Sequence, residues 1–405
     1  MKILKKAIFP LFILWLMIFS EIFMLRINFL KYTDEILAVL FFLYLFYIGI
    51  KKKRIEGVSG KVLIVCLILL FLGIISNLFS KQQKSIIAIL LDIVANFKLP
   101  VICIGFSQLL NEDTAKKVSA KLDIFSRLFL LFGFVLGVFS LFIDLGMRGQ
   151  YRFGLWGYNF IYDYAHIYAL MVLFCLLIVI QNIEDKKRQN AYIIIASVQL
   201  ILNLKGPSLI TAVLLLICPL LIKKSGKFEV KHIIFIGIVS LLLGVYQINN
   251  YFLNENAPRS ILFKYGIKTA NSYFPIGSGF ASYGSDMAAK FYSNLYRNYG
   301  FELIRGMNPY DFQFLNDNYW PSIIAQFGYI GAVLVVLVLL WFFMYLQRTS
   351  INNKKKAVIL SCFIYTLIAS LGNTIYTTSA TILMFLGMMI VLNCNKKTES
   401  DEKNE

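Results

Sequence analysis

The sequence predicts an all-α polytopic membrane protein of about twelve transmembrane helices. Of its 405 residues, 59% are hydrophobic, and the mean hydropathy of +0.70 is well above that of a soluble globular domain. Apolar runs recur along the chain at about the 18 to 25 residues that a helix needs to cross a bilayer. We place these segments at residues 7–25, 33–50, 61–79, 86–110, 124–143, 161–180, 191–204, 209–222, 232–250, 321–346, 357–372 and 379–394.

The basic residues indicate an orientation, because they are concentrated in alternate connectors, and such a bias marks the cytoplasmic side of a membrane. These basic groups are Lys2, Lys5 and Lys6; Lys51–Arg54; Lys116 and Lys117; Lys186–Arg188; Lys223, Lys224 and Lys227; Lys354–Lys356; and Lys396 and Lys397. We therefore expect a multi-pass protein of the plasma (inner) membrane with both termini in the cytoplasm.

This orientation divides the chain into four regions. Residues 1–250 hold spans 1 to 9, and residues 251–320 form one long extracytoplasmic loop between spans 9 and 10. Residues 321–394 hold spans 10 to 12, and residues 395–405 form a cytoplasmic tail. The tail is predicted to be disordered, since Thr398–Glu405 is polar and acidic.

Several classes of function are disfavoured by composition. The net charge of +18 follows from the basic cytoplasmic connectors, whereas a nucleic-acid-binding protein gathers its basic residues on one folded domain. All six cysteines lie in or at the ends of spans without metal-ligand spacing, which argues against disulfides and structural zinc. His166 and His232 are isolated on apolar spans, so we predict neither a metal site nor a cofactor.

The long loop is the one sizeable aqueous segment, and we expect the chemistry of the protein there. Arg259, Lys264 and Lys268 fall in a stretch, residues 259–271, that is predicted to form a short surface helix with both lysines on one face. Gly277 and Gly279 follow, and glycines permit close approach of the backbone to a ligand. Because no predicted strand precedes them, we do not interpret this Gly-x-Gly as a nucleotide-binding motif.

The rest of the loop adds further candidate substrate contacts, namely Tyr283, Asp286 and Arg305. Its many tyrosines also suit an alternative, in which this stretch is a helix that lies in the headgroup zone of the membrane.

Four basic residues outside the long loop are candidates as well. Lys98 lies near the middle of span 4, where a charge costs about 2.5–3.5 kcal/mol, so it is expected to face a partner or a cavity. Arg148 and Arg152 lie among aromatic residues in one outer connector. They suit either phosphate and sugar binding or an interfacial aromatic belt. Lys205 is the only charge in a tight outer hairpin and either holds an anion or snorkels to the surface.

A motif-level resemblance connects these residues. Arg259 stands before Pro275-Ile276-Gly277-Ser278-Gly279, and Asp317-Asn318 is followed by Gly328 and Gly331, 11 and 14 positions after Asp317. With Lys205 and Ser208 in a hairpin two spans earlier, this pattern resembles the O-antigen polymerase and ligase superfamily, and most closely the Wzy-type polymerases of capsular polysaccharide or exopolysaccharide. Two departures from the family pattern are the Lys at position 205, where Arg is usual, and the Asp at position 317, where the ligase branch usually has His.

The resemblance implies a metal-independent glycosyltransferase that uses a glycan carried on undecaprenyl diphosphate. The acceptor would be a sugar hydroxyl of another lipid-linked repeat unit. Arg259 and Lys205 would stabilise the anionic leaving group. Asp317 would orient or deprotonate the acceptor hydroxyl, with Asn318 in support. For Asp317 the sequence leaves an alternative open, because Asp and Asn are common N-caps and Pro321 suits the first turn of span 10.

The implied partners are the lipid-linked oligosaccharide and membrane lipid, with a chain-length regulator and a flippase as candidate protein partners and no nucleic acid. Two rival functions remain at this level. A ligase would move the finished glycan to another acceptor by the same chemistry. A transporter or flippase for lipid-linked oligosaccharides also suits twelve spans, although we find no half-to-half repeat in the sequence.

Overall fold

The structure, a computed structural model, describes residues 2–24, 26–52, 57–222 and 229–395. Helices dominate this part of the chain, and its two strands form one antiparallel hairpin, β1 (Arg148–Arg152) with β2 (Leu155–Tyr158). The helices are α1 (Lys2–Phe23), α2 (Thr33–Lys52), α3 (Gly57–Ser80), α4 (Ile86–Leu109), α5 (Glu112–Ser140), α6 (Ala165–Asn182), α7 (Lys186–Leu202), α8 (Gly206–Leu221), α9 (Val230–Ile248), α10 (Pro258–Ser272), α11 (Asp286–Lys290), α12 (Asn294–Asn298), α13 (Tyr319–Arg348), α14 (Asn353–Ala369) and α15 (Ser379–Cys394).

The predicted all-α membrane protein is confirmed at the level of its helices. A helix runs through each of the twelve predicted apolar segments. In the described residues, six helical segments are long and apolar enough to cross a membrane, and three shorter ones are also apolar. The six are residues 28–51, 57–80, 86–109, 112–140, 165–182 and 319–348.

Helix α6 forms the centre of the bundle. Every residue from Ile167 to Ile180 is buried, which matches a sequence that is apolar around its whole circumference. Helices α5, α7, α14 and α15 pack against it. The buried apolar residues around α6 form the largest cluster, and a smaller, separate cluster joins α3, α13 and Phe280 of the long loop.

The long loop is a folded unit with its own aromatic core. The predicted short helix at residues 259–271 is present as α10. Tyr283, Tyr296 and Phe301 have no exposed surface, and the rings of Tyr296 and Phe301 stack with their centroids 5.6 Å apart. These tyrosines pack inside the loop, so the alternative of a headgroup-zone helix is wrong for them.

This loop unit is held on α3 by side chains near the end of that helix. Asn77 donates its amide to the carbonyl of Phe280 at 2.9 Å and accepts from the Phe280 N–H at 2.8 Å. Ser80 donates to the carbonyl of Ser278 at 2.6 Å. The Gly277–Gly279 segment is thus used for packing on the helices.

A break in α13 completes the attachment of the loop. Gly328 has a φ of 64° inside the helix, and a Cβ there would lie 2.2 Å from the carbonyl oxygen of Pro275 and 2.7 Å from the nitrogen of Gly277. A side chain would strain the backbone and collide with the loop at once. The glycine at the predicted motif position therefore serves a backbone contact.

Several predictions concern residues outside the described ranges. They are the disordered tail at Thr398–Glu405 and the basic residues Lys53, Arg54, Lys223, Lys224, Lys227, Lys396 and Lys397.

We expect Gly328→Ala to destabilise the protein by more than about 2 kcal/mol, because alanine is strained at positive φ and its methyl group would displace the loop. Thermal unfolding of the purified protein in detergent measures the effect. Gly237→Ala in α9 is the matched control, since no atom lies within 4 Å of an added Cβ at that position. Equal unfolding temperatures for the two variants would contradict the contact described at Gly328.

Candidate functional site

Four charged side chains from three connectors converge on one region. They are Arg152 in β1, Lys205 before α8, Arg259 in the first turn of α10 and Asp317 before α13. The Nε atom of Arg259 lies 3.3 Å from Oδ2 of Asp317. Lys205 is close enough to the other three for their charges to interact with its ammonium group. We name these four residues the cationic cluster, because three cations share one carboxylate.

Arg259 is held from two sides while most of its donors stay available. Its guanidinium carbon lies 4.8 Å from the ring centroid of Tyr251, a cation–π arrangement. A Cβ built on Gly372 would lie 3.1 Å from Nη1, so the guanidinium rests against that glycine. Among the described residues, Asp317 is its only ion-pair partner. An Arg fork in this state suits a bidentate anion such as phosphate.

Lys205 lies in a hairpin that Asn203 fixes. The Asn203 amide donates to the carbonyls of Tyr158 at 3.1 Å and Ala165 at 3.0 Å, and its oxygen accepts from Ser208 at 2.7 Å. These bonds tie the turn between α7 and α8 to β2 and to the start of α6. They hold Lys205 at the cluster, where it makes no ion pair with any described residue.

The electrostatics of Lys205 follow from this position. The pKa of its ammonium group is lowered from 10.5 to about 8, mainly by burial and then by the charges of Arg152 and Arg259, while Asp317 acts in the opposite direction. A pKa depressed by burial and by like charges means that the charged form is destabilised in the absence of a ligand. A bound anion would relieve this repulsion.

Asp317 is half-buried, and burial raises the pKa of its carboxyl group while Arg259 and Lys205 act in the opposite direction. It does not cap α13, so that alternative is wrong. The N-cap position belongs to Asn318, which makes no side-chain cap hydrogen bond. The buried amide of Asn318, oriented so that its nitrogen faces acceptors, donates to the carbonyls of Leu371 at 3.1 Å and Asp317 at 3.0 Å.

Lys98 does not join the cationic cluster. Its ammonium group is buried and lies 2.5 Å from Oδ2 of Asp34 and 2.9 Å from Oε1 of Glu35, both on α2. The expectation that a mid-span lysine faces a partner is therefore met by two carboxylates of the neighbouring helix. Asp92 of the same helix accepts from the backbone N–H of Ala281 at 2.6 Å and supports the loop.

The two arginines of the outer connector have different surroundings. Arg148 donates from Nε at 3.2 Å and from Nη2 at 3.0 Å to the carbonyl of Ser140, at the end of α5. It also lies 3.8 Å from Asp144. Arg152 donates to Gln150 at 2.7 Å and interacts with Lys205. The hairpin is therefore fastened by Arg148 and carries Arg152 to the cluster.

The remaining candidates of the long loop lie apart from the cluster. Lys264 and Lys268 are exposed and follow Arg259 by five and nine residues, which turns them about 140° and 180° away on α10. Lys268 lies over the rings of Tyr265 and Tyr299. The other four candidates have these surroundings: Gly277 and Gly279 are buried in the contact with α13 and α3, Tyr283 is buried and donates to the carbonyl of Leu262, and Asp286 is exposed and accepts from Asn316.

Arg305 is exposed in the same loop, and no ion pair with a described residue fixes its side chain.

Comparison of the chain with protein-family models and with curated proteins gives no match. The resemblance to the polymerase and ligase superfamily therefore stays a hypothesis carried by the motif residues.

Sequence reasoning missed three residues that shape the cluster: Asn203, Tyr251 and Gly372. Asn203 has a local signal, since it stands two residues before Lys205 at the end of an apolar run. Tyr251 and Gly372 touch Arg259 only through the tertiary fold, so no spacing in the sequence marks them. Within the described residues, no three His, Cys, Asp or Glu side chains are grouped to hold a metal ion, and the absence of a cofactor stays a prediction.

We expect the protein to bind a soluble diphosphate diester, and we expect this binding to weaken about tenfold per pH unit above about pH 8. The Lys205 ammonium is present below its pKa of about 8 and is lost above it, whereas a diester keeps its charge. In Lys205→Arg the binding should persist to higher pH, because arginine stays protonated. Calorimetric titration across this range measures both proteins.

Lys290→Arg, an exposed position of the same loop unit, is the control and should follow the wild type. Identical pH profiles for wild type and Lys205→Arg would show that Lys205 does not contact the anion.

Proposed function

We propose that the protein is a polysaccharide polymerase at the outer face of the plasma membrane. It would transfer a glycan from undecaprenyl diphosphate to a sugar hydroxyl of another lipid-linked repeat unit. The observation that carries this proposal is the cationic cluster, in which Arg152, Lys205 and Arg259 exceed the single carboxylate of Asp317. Cations with this surplus suit a diphosphate leaving group, whose negative charge grows in the transition state.

In the proposed reaction the acceptor hydroxyl attacks the anomeric carbon of the donor and a glycosidic C–O bond forms. The bond between the anomeric carbon and the diphosphate oxygen breaks, and the electron pair leaves with the diphosphate. Asp317 takes the hydroxyl proton, and the burial that raises the pKa of its carboxyl group makes it a stronger base than an exposed Asp.

Arg259 has a double role in this scheme. Its Nε faces Asp317 at 3.3 Å, while its terminal nitrogens are free to bind diphosphate oxygens. One guanidinium therefore aligns the base and the leaving group, and the cation–π contact with Tyr251 limits its rotation. Removing a preorganised donor of this type typically lowers the rate about 10²- to 10³-fold.

We further propose a twelve-span topology with both termini in the cytoplasm. Support comes from the way in which connectors meet. Residues 144–160, 203–205, 251–320 and 370–372 all contribute to the cluster or its contacts, and each of these segments lies at or beyond the end of an odd-numbered span, before the next even-numbered one. Connectors that follow even-numbered spans meet elsewhere. Lys354, after span 10, donates to the carbonyl of Lys186 at 3.0 Å and to Asn190 at 2.7 Å, both after span 6. Strict alternation of this kind is expected of a chain that crosses the bilayer at every span.

A single cysteine introduced as Tyr310→Cys should react with an impermeant maleimide from outside intact cells. The Tyr310 side chain is 98% exposed in the long loop. Lys187→Cys, exposed in the first turn of α7, should react only after the cells are opened. Labelling of Lys187→Cys in intact cells would overturn the topology.

We expect Arg259→Ala to abolish lengthening of a lipid-linked repeat unit by the purified protein in liposomes, with a rate at least about 10²-fold below wild type. Electrophoresis of the glycan products measures chain length. Arg297→Ala is the matched control, since Arg297 is exposed in the same loop and stacks on Tyr292. Wild-type chain growth by Arg259→Ala would refute the assignment.

The same chain-lengthening assay tests the proposed role of Asp317 as the base. Asp317→Asn keeps the shape of the side chain without its basicity and should be as inactive as Asp317→Ala. Full activity in both variants would remove Asp317 from the mechanism. A product attached to an acceptor other than a second repeat unit would indicate a ligase, and translocation of the lipid-linked glycan without bond formation would indicate a flippase.

A further inference from the structure

A second candidate binding feature lies away from the cationic cluster. A groove of about 970 Å³ opens between α2 and α3, with α4 as its floor. Its walls are mostly aliphatic and aromatic side chains, such as Phe42, Phe46 and Leu67. Many of them are exposed in the structure, as expected of side chains that contact lipid. The charged residues among those that line it are Lys61 and Lys98.

The two lysines differ in their counter-charges. Lys98 is paired with Asp34 and Glu35, as described above. The Lys61 ammonium lies 5.6 Å from the ring centroid of Trp341 and makes no ion pair with any described residue. Within the described part of the chain, Lys61 is therefore a positive charge without a counter-charge near one end of a mostly apolar groove.

The position of Lys61 along α3 separates this groove from the candidate active site. Asn77 and Ser80 hold the long loop, and they follow Lys61 by 16 and 19 residues, or about 24 and 28 Å of helix. The charged end of the groove is thus near the opposite end of the bundle from the loop. Along α3, the lining residues begin at Gly57, and the stretch from Lys61 to Leu70 rises about 14 Å, or about half the hydrocarbon core of a bilayer.

We propose that this groove binds a bilayer phospholipid with an anionic headgroup, whose phosphate contacts Lys61 and whose acyl chains lie along the apolar walls. The depth of the groove matches the chains of a single leaflet. An apolar helix from a second copy of the protein would cover the walls and leave the Lys61 ammonium without a counter-charge. The proposal does not depend on the proposed polymerase activity.

Filling the groove provides the first test. Gly49 lines it, and no atom lies within 4 Å of a Cβ built at that position, so the ring of Gly49→Phe would extend into open space. We expect this variant to bind phosphatidylglycerol at least about fivefold more weakly than wild type, as measured by native mass spectrometry of the delipidated protein. Gly237→Phe in α9 is the control, since that glycine has equally open surroundings and does not line the groove.

A second pair of variants tests the groove independently, in case Gly49→Phe disturbs folding. Ile64 lines the groove, and Ile68, one turn further along the same helix, does not. Both side chains are exposed, at 60% and 44%. Ile64→Trp should weaken lipid binding and Ile68→Trp should not, with both proteins unfolding near the wild-type temperature.

The headgroup is tested separately. Lys61→Gln should lose about fivefold of the affinity for phosphatidylglycerol, the contribution of one basic side chain near an anionic headgroup, and keep its affinity for phosphatidylcholine. Lys121→Gln, an exposed position on α5, should behave as wild type.

Undiminished binding by both groove-filling variants would overturn the site, and equal binding of the two lipids by wild type would overturn the anionic headgroup. A wild-type dimer that Gly49→Phe converts to monomer would assign the groove to a second copy instead.

Discussion

The outer part of the molecule depends on a close backbone contact between the long loop and the break in α13. Gly328 changes the direction of the helix at positive φ, and Gly277 fits against it because neither residue has a side chain. Asp317 and Asn318 come immediately before this helix. Arg259 lies in the first turn of α10, which packs on α13 where a Cβ of Gly266 would lie 3.2 Å from Pro321. The contact that docks the loop therefore also sets the distance between the cation and the carboxylate of the cluster.

This arrangement leaves an electrostatic imbalance in the cluster. Three connectors that are far apart in the sequence bring three cations and one carboxylate together. Like charges in a half-buried site repel, and the pKa of Lys205 is lowered first by burial and then by the charges of Arg152 and Arg259. The fold holds the cations in place through contacts that do not neutralise their charge, such as the hydrogen bonds of the Asn203 side-chain amide and the ring of Tyr251. A multivalent anion would supply the missing charge without any rearrangement of the bundle.

The sequence was most informative where polar residues interrupt apolar ones. Apolar run length located all twelve helical segments, the isolation of Lys205 in a tight hairpin singled it out, and Arg259 was singled out by its place in the motif pattern. Their meeting could not be derived in this way, because it depends on how α8, α10 and α13 pack. The same limit applies to Gly372, whose only signal is a tertiary contact with Arg259. The β-hairpin at residues 148–158 also went unpredicted, since aromatic residues there suit a membrane interface equally well.

Lys98 shows why insertion cost alone is a weak guide to a binding site. A charged side chain in the middle of a span needs a partner, but the partner that Lys98 finds depends on how α2 and α4 are aligned, and this alignment sets Asp34 and Glu35 beside it. A buried lysine with two carboxylates is already neutralised, and breaking such a pair is more costly than keeping it. It has no electrostatic reason to attract an anion. Lys205 and Arg259 differ in this respect, because they share the single carboxylate of Asp317 with Arg152 close by, so the cluster keeps a surplus of positive charge. Unmatched charge held by a rigid scaffold, more than the presence of charge, therefore distinguishes the candidate site from the structural ion pairs of the bundle.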